Sequence, residues 1–545
     1  MTAHAPEREL RADVLIVGGG LGGVAAAVGA LEAGRSVVLT EEYAWLGGQL
    51  TSQAVPMDEH TWIESFGATA RYRALRDGIR DHYRRHYPLT PEAAADRHLN
   101  PGAGLVGRVC AEPRAGVAVI EAMLAPYRAT GRLTVVQPAV PVAARVDGDR
   151  VEAVELRRAD GTNVVVSAAY VIDATELGDL LPLTGAEYVT GFESNRETGE
   201  PSAPDEAQPD NQQAFSWCFV IDHVDGDHTI DRPAGYDRWR TAQPPYWGAP
   251  MLSLTGPDPR TLEITTRTFS PNADSGRDVA EGRVADQRAD AGDRELWTFR
   301  RIVARRNFRA GFYPSDVVLV NWPMIDYIGG PIVDVTEAVR AEREAEAREQ
   351  SRSMLYWLQT EAPRADGGTG FSGLRLRGDL TDGPEGLAMA PYIRESRRIL
   401  AETTVTELDL SIAASGDASP KRFADSVGVG MYRIDLHPTT GGDNYLDLPS
   451  RPFEIPLGAL IPRRLENLLP AGKNVGTTHI TNGAFRLHPV EWNIGEAAGR
   501  LAAFCLDRAS RPRAIRTNPG LLEEFQSLLT NSGVELHWPA DVNGY

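Results

Sequence analysis

Near the start of the chain, the residues with the clearest chemical potential are glycines followed at a distance by an acid. Gly18, Gly20 and Gly23 stand in a G-x-G-x-x-G spacing, and Glu41 comes 23 residues after Gly18. Glycines at that spacing let a backbone turn tightly and approach a pyrophosphate. A helix beginning there offers unpaired N–H groups and the positive end of its dipole. An acid at the end of the next strand accepts hydrogen bonds from ribose hydroxyls. Other chemistries leave no comparable trace. Cys110, Cys218 and Cys505 are far apart and form no CxxC pair or zinc spacing, and neither a Ser-His-Asp order nor a Walker lysine loop stands out.

These glycines need a strand before them and a helix after. Asp13 to Val17 reads as a short buried strand, "VAAAVGALEAG" as a helix closed by Gly34, and Ser36 to Glu41 as a second buried strand. The apolar stretch Val14 to Leu31 is long enough to resemble a membrane span, but six of its residues are glycine, and the βαβ reading accounts for it. A second spacing of this kind, Gly368-x-Gly370-x-x-Gly373, follows no strand and precedes no buried helix, so it reads as a loop. One dinucleotide site is therefore expected.

Arg132 to Pro138 reads as a third core strand. Asp147-Gly148 and Asp160-Gly161 then mark the turns of a three-strand antiparallel meander that returns into a buried strand, Tyr170 to Thr175. Residues 57–115 look helical and loop-rich, with His60, His82, His86 and His98 at the surface. Residues 193–213 and 271–294 read as polar, exposed segments. Residues 334–361 read as a long helix with a capping box at Asp334 and Glu337. Near the end, "NLLPAG" is a short buried strand, and Pro489 opens an Ala/Gly-rich helix.

The whole chain has 545 residues, 42% hydrophobic and 24% charged, which suits a globular protein. Its net charge of −19 argues against nucleic-acid or anionic-membrane partners. Widely spaced cysteines and the absence of an apolar run in the first thirteen residues make a cytoplasmic location the expectation.

Taken together, the βαβ fingerprint, "WLGGQLTSQ", the meander, "VIDATELGDL" and the terminal "LLPAGKN…HPVEWNIGEAAG" resemble the FAD-dependent oxidoreductase family of glutathione-reductase-type Rossmann flavoproteins. The chain is distantly similar to fumarate reductase flavoprotein subunits and L-aspartate oxidase. "APYIRESRRIL" and "RIDLHP" resemble middle-region segments of that group. The resemblance covers residues 10–185 and 385–505 well and 190–380 loosely. It implies an α/β architecture: a Rossmann-type FAD-binding domain with a β-meander, interleaved with an α+β substrate domain. The expected divisions are an FAD-binding part at 1–185 and 455–515, a substrate or cap domain at 186–454 and a C-terminal tail at 516–545.

The resemblance also implies roles. Gly18, Gly20 and Gly23 would lie on the FAD pyrophosphate and Glu41 on the adenosine ribose, and Leu21, Gly22 and Glu42 count with them as cofactor-contacting neighbours. Gly47, Gly48 and Gln49 would pass beside the flavin or ribitol, and Val142 would offer backbone to adenine. Thr175 would sit near the pyrophosphate, followed by Glu176 where the family has the glycine of an "ATG" motif. Gly472 and Asn474 would line the ribitol. Asn493 and Ile494, at the N-terminus of the last helix, would face the flavin N1/C2=O edge. No His lies in "GGQLTSQ", so noncovalent FAD is expected.

Flavin chemistry needs a protein group to manage a proton beside the reacting carbon. His437 is the first candidate, then His488 and His479, with Arg394 as a carboxylate or carbonyl partner. Asp326, Tyr327, Tyr432 and Arg433 are weaker candidates, and "PPYWG" (244–248) is a possible pocket wall. No metal site is expected. The leading function is a dehydrogenase or oxidase acting on a C–O or C–N bond of a small polar metabolite, with oxygen or another electron acceptor as reoxidant. A C=C reductase, an RNA-modifying flavoprotein and a nonenzymatic flavin scaffold are the alternatives. Oligomeric state is not legible.

Overall fold

The computed structural model describes residues 8–273 and 294–544. Of the polar stretch expected at 271–294, residues 274–293 lie outside the described residues, as do the first seven of the chain.

Strand β1 (Arg8–Val17), helix α1 (Leu21–Glu32) and β2 (Val37–Thr40) form the βαβ unit. β1 is longer than the apolar run suggested, because its first half pairs in parallel with β6 (Asn163–Asp173) from Arg8↔Val164 onward. With β3 (Leu133–Val136), β4 (Ala139–Asp147) and β5 (Arg150–Arg158), these build a seven-stranded sheet in the order β3-β2-β1-β6-β5-β4, and Leu468–Pro470 also pairs with β6.

The third meander strand and the expected return strand are one continuous strand, β6. Its first half pairs antiparallel with β5, and its last three residues pair in parallel with Leu468–Pro470. Alternating residues suffice where the meander has an open face. The switch to unbroken apolar residues at Tyr170–Ile172 marks where the same strand enters the two-sided core.

α1 crosses the long helix His488–Asp507 through backbone-to-backbone contact. A Cβ on Gly495 would stand 2.0 Å from the Gly22 carbonyl oxygen, and one on Gly499 would stand 2.1 Å from that of Ala26. Only hydrogen at these positions allows the approach. The segment expected as a tail carries a packed helix: Pro519–Asn531 buries Phe525 and Leu529, and beyond it the Trp538 indole donates to the Gly430 and Phe453 carbonyls at 3.1 Å each.

The middle of the chain carries a four-stranded antiparallel sheet in the order 301–303, 317–320, 219–223, 374–376. The long helix Glu337–Thr360 packs beside it, and its Gln350 amide donates to the carbonyls of Met324 and Asp326, both at 3.2 Å. Thr336 caps this helix, its hydroxyl accepting from the Val339 amide at 3.3 Å. The expected capping box fails because Asp334 has a left-handed φ of 57° and its carboxylate accepts from Arg397 Nε at 2.8 Å. The second glycine spacing, 368–373, lies in the turns after this helix, as read from sequence. His60 is fully buried, its Nε2 3.0 Å from the Gly67 carbonyl, whereas the sequence suggested surface. Among the described residues no helix is long and apolar enough to cross a membrane.

Candidate functional site

The glycine corner opens onto a cleft of about 470 Å³, lined by Gly18, Gly20, Glu41, Glu42, Thr175 and Arg340 among others. Gly18 takes a φ of 98°, and a Cβ there would meet the Ala174 carbonyl oxygen at 2.2 Å. Gly20 brings no side chain to cap the twelve-residue helix α1; Glu491 takes the Gly22 amide of its first turn at 3.1 Å, and the start of the helix lies at the corner. Leu21 is its first residue. Gly23 is pressed against the Gly18 carbonyl, 2.0 Å from an added Cβ, so its glycine is needed for packing.

Glu41 accepts from the amides of Gly19 at 2.7 Å and Tyr43 at 2.9 Å. Burial nevertheless pushes its carboxyl up to about 8. Glu42 is also raised by burial and faces Arg340 at 3.8 Å. Thr175 is folded back, its hydroxyl donating to Asp173 at 2.7 Å and accepting from the Asp179 amide at 2.7 Å. Val142 lies at an irregularity between Pro141 and Ala143 in the β4–β5 register, and its neighbours Val140 and Pro141 line the cleft.

Gly47 and Gly48 both have positive φ, 112° and 49°. The Gly47 amide donates to the Gly19 carbonyl at 2.7 Å, which ties this segment to the corner. The Gln49 amide reaches the Arg486 carbonyl at 3.1 Å and also bonds Glu491. Glu491, in the first turn of the His488–Asp507 helix, accepts the Gly22 amide at 3.1 Å. Glu176 pairs with buried Lys473, and its Oε1 is 2.9 Å from where a Gly48 Cβ would be. Burial lowers Lys473, but Glu176 and Glu491 outweigh it and hold the ammonium above its usual range.

The FAD that the resemblance implies fits these residues. Asn474 donates its amide N–H to the Asp173 carbonyl at 3.0 Å, while its buried Oδ1 has no partner among the described residues. Space stands open above Gly472, where an added Cβ meets nothing closer than 4.0 Å. The helix start, the acid-ended strand and the cleft between them complete the cradle.

A second constellation lies beyond Gln49 and Arg486. His437 directly follows the first strand of the hairpin formed by Ile434–Leu436 and Leu446–Leu448. Its Nδ1 is 2.6 Å from Asp326 Oδ2, and Nε2 is 3.9 Å from Asp435 Oδ2. Asp326 sits on a two-residue strand paired with Phe215–Ser216. It also accepts from Ser216 Oγ at 2.6 Å and from Arg394 Nη2 at 3.1 Å. Arg394 further donates to the Ala214 carbonyl at 2.9 Å and to Asn321 Oδ1 at 3.4 Å. Arg486 binds Asp435 at 3.0 Å and the Tyr392 hydroxyl at 3.0 Å. Nearby, the Tyr432 hydroxyl donates to Asp58 at 3.0 Å, and Arg300 stands 3.7 Å from the same carboxylate.

The electrostatics set protonation states. Burial first and Arg394 second push His437 below its ordinary value, and Asp326 only partly offsets them. Burial raises Asp326, but Arg394 and His437 outweigh it, so the carboxylate stays ionised. Asp326 therefore accepts a hydrogen bond from Nδ1–H, and the lone pair of a neutral imidazole is left on Nε2.

His437 and Arg394, expected from the sequence, thus meet around Asp326. The other two histidines do not join them. His488 accepts the Asp58 amide on Nδ1 at 3.1 Å, so its Nε2–H donates to the Val55 carbonyl at 3.2 Å. With both ring atoms used by backbone and burial pulling it down to about 3, it is a fixed neutral spacer. His479 caps no reaction space either: Nδ1 is 2.9 Å from Glu395, which also binds Arg398, and the ring stacks on Phe192 at 3.8 Å. Asn493 and Ile494 lie in the second turn of their helix, not at its N-terminus, and the Asn493 amide donates to the Val427 carbonyl at 3.2 Å. The helix begins a residue before Pro489, and His488, Pro489 and Val490 occupy its opening turn. Asp435, Arg486, Lys473 and Glu491 were missed. Asp435 had a readable signal, two residues before His437 on one strand face.

The sequence profile of the family described as FAD dependent oxidoreductase matches residues 13–529. No curated protein sequence matches the chain. Among solved structures, a geranylgeranyl bacteriochlorophyll reductase-like protein from Thermoplasma acidophilum is 12% identical, with 97% of this chain and 85% of that one covered at a TM-score of 0.31. The glycerol-3-phosphate dehydrogenase from Bacillus halodurans complexed with FAD is 13% identical over 39% of this chain and 40% of that one, with a TM-score of 0.24. L-proline dehydrogenase from P. horikoshii is 17% identical over 35% of this chain, with a TM-score of 0.19, and the match spans only 26% of that protein. The assignment rests on the family profile. The chain belongs to the FAD-dependent oxidoreductase family: it is an enzyme, and FAD is its cofactor.

Proposed function

We propose that the enzyme oxidises a carbon bearing oxygen or nitrogen in a small polar metabolite, with His437 Nε2 as the proton acceptor. FAD, held noncovalently by the glycine corner, the Gly47–Gln49 segment and the Gly472–Asn474 loop, supplies the two-electron acceptor. The observation that carries the reading is the His437–Asp326 contact of 2.6 Å, which holds a neutral imidazole with a lone pair on Nε2. A hydroxyl or amine losing hydride from its carbon must also lose a proton, and a neutral buried imidazole is suited to take it. Arg394 orients Asp326 and keeps it ionised, and Arg486 with Tyr392 links this polar group to the cofactor-flanking Gln49. A reductase of an activated C=C would instead need a proton donor here, which a depressed His437 supplies poorly.

The test is anaerobic mixing of holoenzyme with alcohols and amines, followed at the flavin absorbance. At least one should bleach it, and His437→Asn should slow that bleaching about 100-fold or more while retaining FAD. Equal bleaching rates in the variant would remove His437 from the chemistry. Reoxidation by air against reoxidation by a soluble quinone separates oxygen from another acceptor.

A further inference from the structure

The substrate class is written in what the polar cluster leaves unmatched. Five nitrogen atoms of its side chains are buried without a hydrogen-bond partner among the described residues: Gln213 Nε2, Asn321 Nδ2, Arg300 Nε, Arg394 Nε and Arg486 Nε. All five carry N–H donors. The two amides are not ambiguous in orientation. Gln213 must turn its oxygen toward the His437 amide, 3.4 Å away, and Asn321 must turn its oxygen toward Arg394. Both amide nitrogens are thus left over. The Tyr246 hydroxyl, close enough to Asp326 to feel its charge, is also buried and unmatched. Burying a donor without an acceptor is unfavourable, so an occupant that supplies acceptors is favoured.

Charge narrows the occupant further. Arg394 has Asp326 at 3.1 Å, Arg486 has Asp435 at 3.0 Å, Arg300 has Asp58 at 3.7 Å, and Arg433 shares Asp447 with Arg260, which stands 3.6 Å from it. Each guanidinium already faces a carboxylate, and His437 is neutral. A carboxylate or phosphate brought here would add an uncompensated buried charge, whereas hydroxyls add acceptors without charge. On the far side of His437 stands an aromatic edge: the Tyr445 ring is 5.6 Å from the imidazole, and Trp247 of the 244–248 segment is 6.5 Å from Tyr445. Such an edge suits the C–H face of a ring.

We infer that the substrate is an uncharged polyhydroxylated ring, a sugar or cyclitol, oxidised at one carbinol to a ketone or lactone. This rests on the hydride-removal reading above. With FAD bound as the two-electron acceptor, the carbinol hydrogen would leave its carbon as hydride, the O–H bond would break with its proton passing to His437 Nε2, and the C–O bond would become a carbonyl. The neighbouring hydroxyls accept from Asn321 and Gln213.

The experiment mixes holoenzyme anaerobically with D-glucose, D-galactose and myo-inositol, and separately with L-lactate, L-malate, L-proline and glycerol 3-phosphate. Bleaching by at least one uncharged compound, about 100-fold faster than by any charged one, is the expected result. Asn321→Asp keeps the oxygen that faces Arg394 but replaces the donor by a charged acceptor. It should raise the Kd of the reactive polyol at least tenfold while the bound-flavin spectrum stays unchanged, and an unchanged Kd counts against the inference. If only the carboxylates or the phosphate bleach the flavin, and do so through His437, the substrate class is wrong while hydride removal stands. If none of the seven bleaches it and the dithionite-reduced enzyme instead reduces an activated C=C, both readings fall together.

Discussion

Asp326→Asn tests the core of the mechanism, because it changes one atom type in a fully buried side chain. The native carboxylate takes the Nδ1–H of His437 at 2.6 Å and leaves Nε2 as the base. An asparagine can satisfy Arg394 and Ser216 with its oxygen, and it then turns an N–H₂ group toward Nδ1. The imidazole answers by moving its proton to Nε2, where the base is needed. Two losses follow. The general-base contribution, about 100-fold to 10,000-fold, disappears with the tautomer. Most of the electrostatic support for the forming imidazolium goes as well, since Asp326, ahead of Asp435, raises His437 against burial and Arg394. We expect the anaerobic flavin-reduction rate to fall about 1,000-fold, or about 4 kcal/mol at roughly 1.4 kcal/mol per tenfold. Arg394 also loses its counter-charge, so thermal stability falls, by about 3 kcal/mol or more for a broken buried pair. Stopped-flow reduction must therefore be read beside FAD occupancy and a melting curve. The wild-type rate should rise as His437 deprotonates, below its ordinary 6.5, and be flat by neutral pH. Because Asp326 and His437 act as a unit, Asp326→Asn combined with His437→Asn should be no slower than the slower single variant. A double variant whose losses multiply, or a single variant that keeps its rate and FAD, refutes the reasoning.

Four further outcomes are expected. His479→Gln, which breaks the contact to Glu395 at 2.9 Å, should lower the melting temperature yet leave the pH profile of flavin reduction unmoved; a shifted profile would return His479 to the chemistry. Lys473→Met leaves Glu176 uncompensated at the corner, so FAD affinity measured by fluorescence titration should fall tenfold to 100-fold, and adding Glu176→Gln should restore most of it. Glu41 is raised from 4.5 to about 8 in the folded protein, so its contribution to the stability of the FAD-free protein is complete below pH 4.5 and is lost as pH climbs through about 8. Glu41→Gln should flatten that fall between pH 6 and 8.5 in melting curves. Gly499→Ala places a Cβ 2.1 Å from the Ala26 carbonyl oxygen and should separate α1 from the long helix, with FAD lost from the purified protein; full FAD occupancy would show that the crossing can yield.

The dinucleotide corner was legible because it is local. Gly18, Gly20, Gly23 and Glu41 are fixed by two strands, one turn and one helix, and each piece leaves its own mark within about thirty residues. The continuous β6 was harder, since a strand that changes partners midway looks like two strands, one alternating and one uniformly apolar. The polar cluster was legible only in fragments. His437 and Arg394 stood out as residue types, but what would make His437 the base of the proposed reaction is Asp326, which lies 111 positions away on a two-residue strand whose register is set by Ser216 and by Gln350 of the long helix. No local pattern encodes that meeting. The same absence misled the reading of His488. A histidine before a flavin-flanking helix invites a catalytic role, yet the Asp58 amide and Val55 carbonyl, more than 400 positions away, occupy both of its ring nitrogens. A histidine's chemistry is decided by which of its two nitrogens the fold leaves unoccupied. Among the three sequence candidates His437 alone combines a carboxylate on Nδ1 with partial access, its side chain 16% exposed, at Nε2.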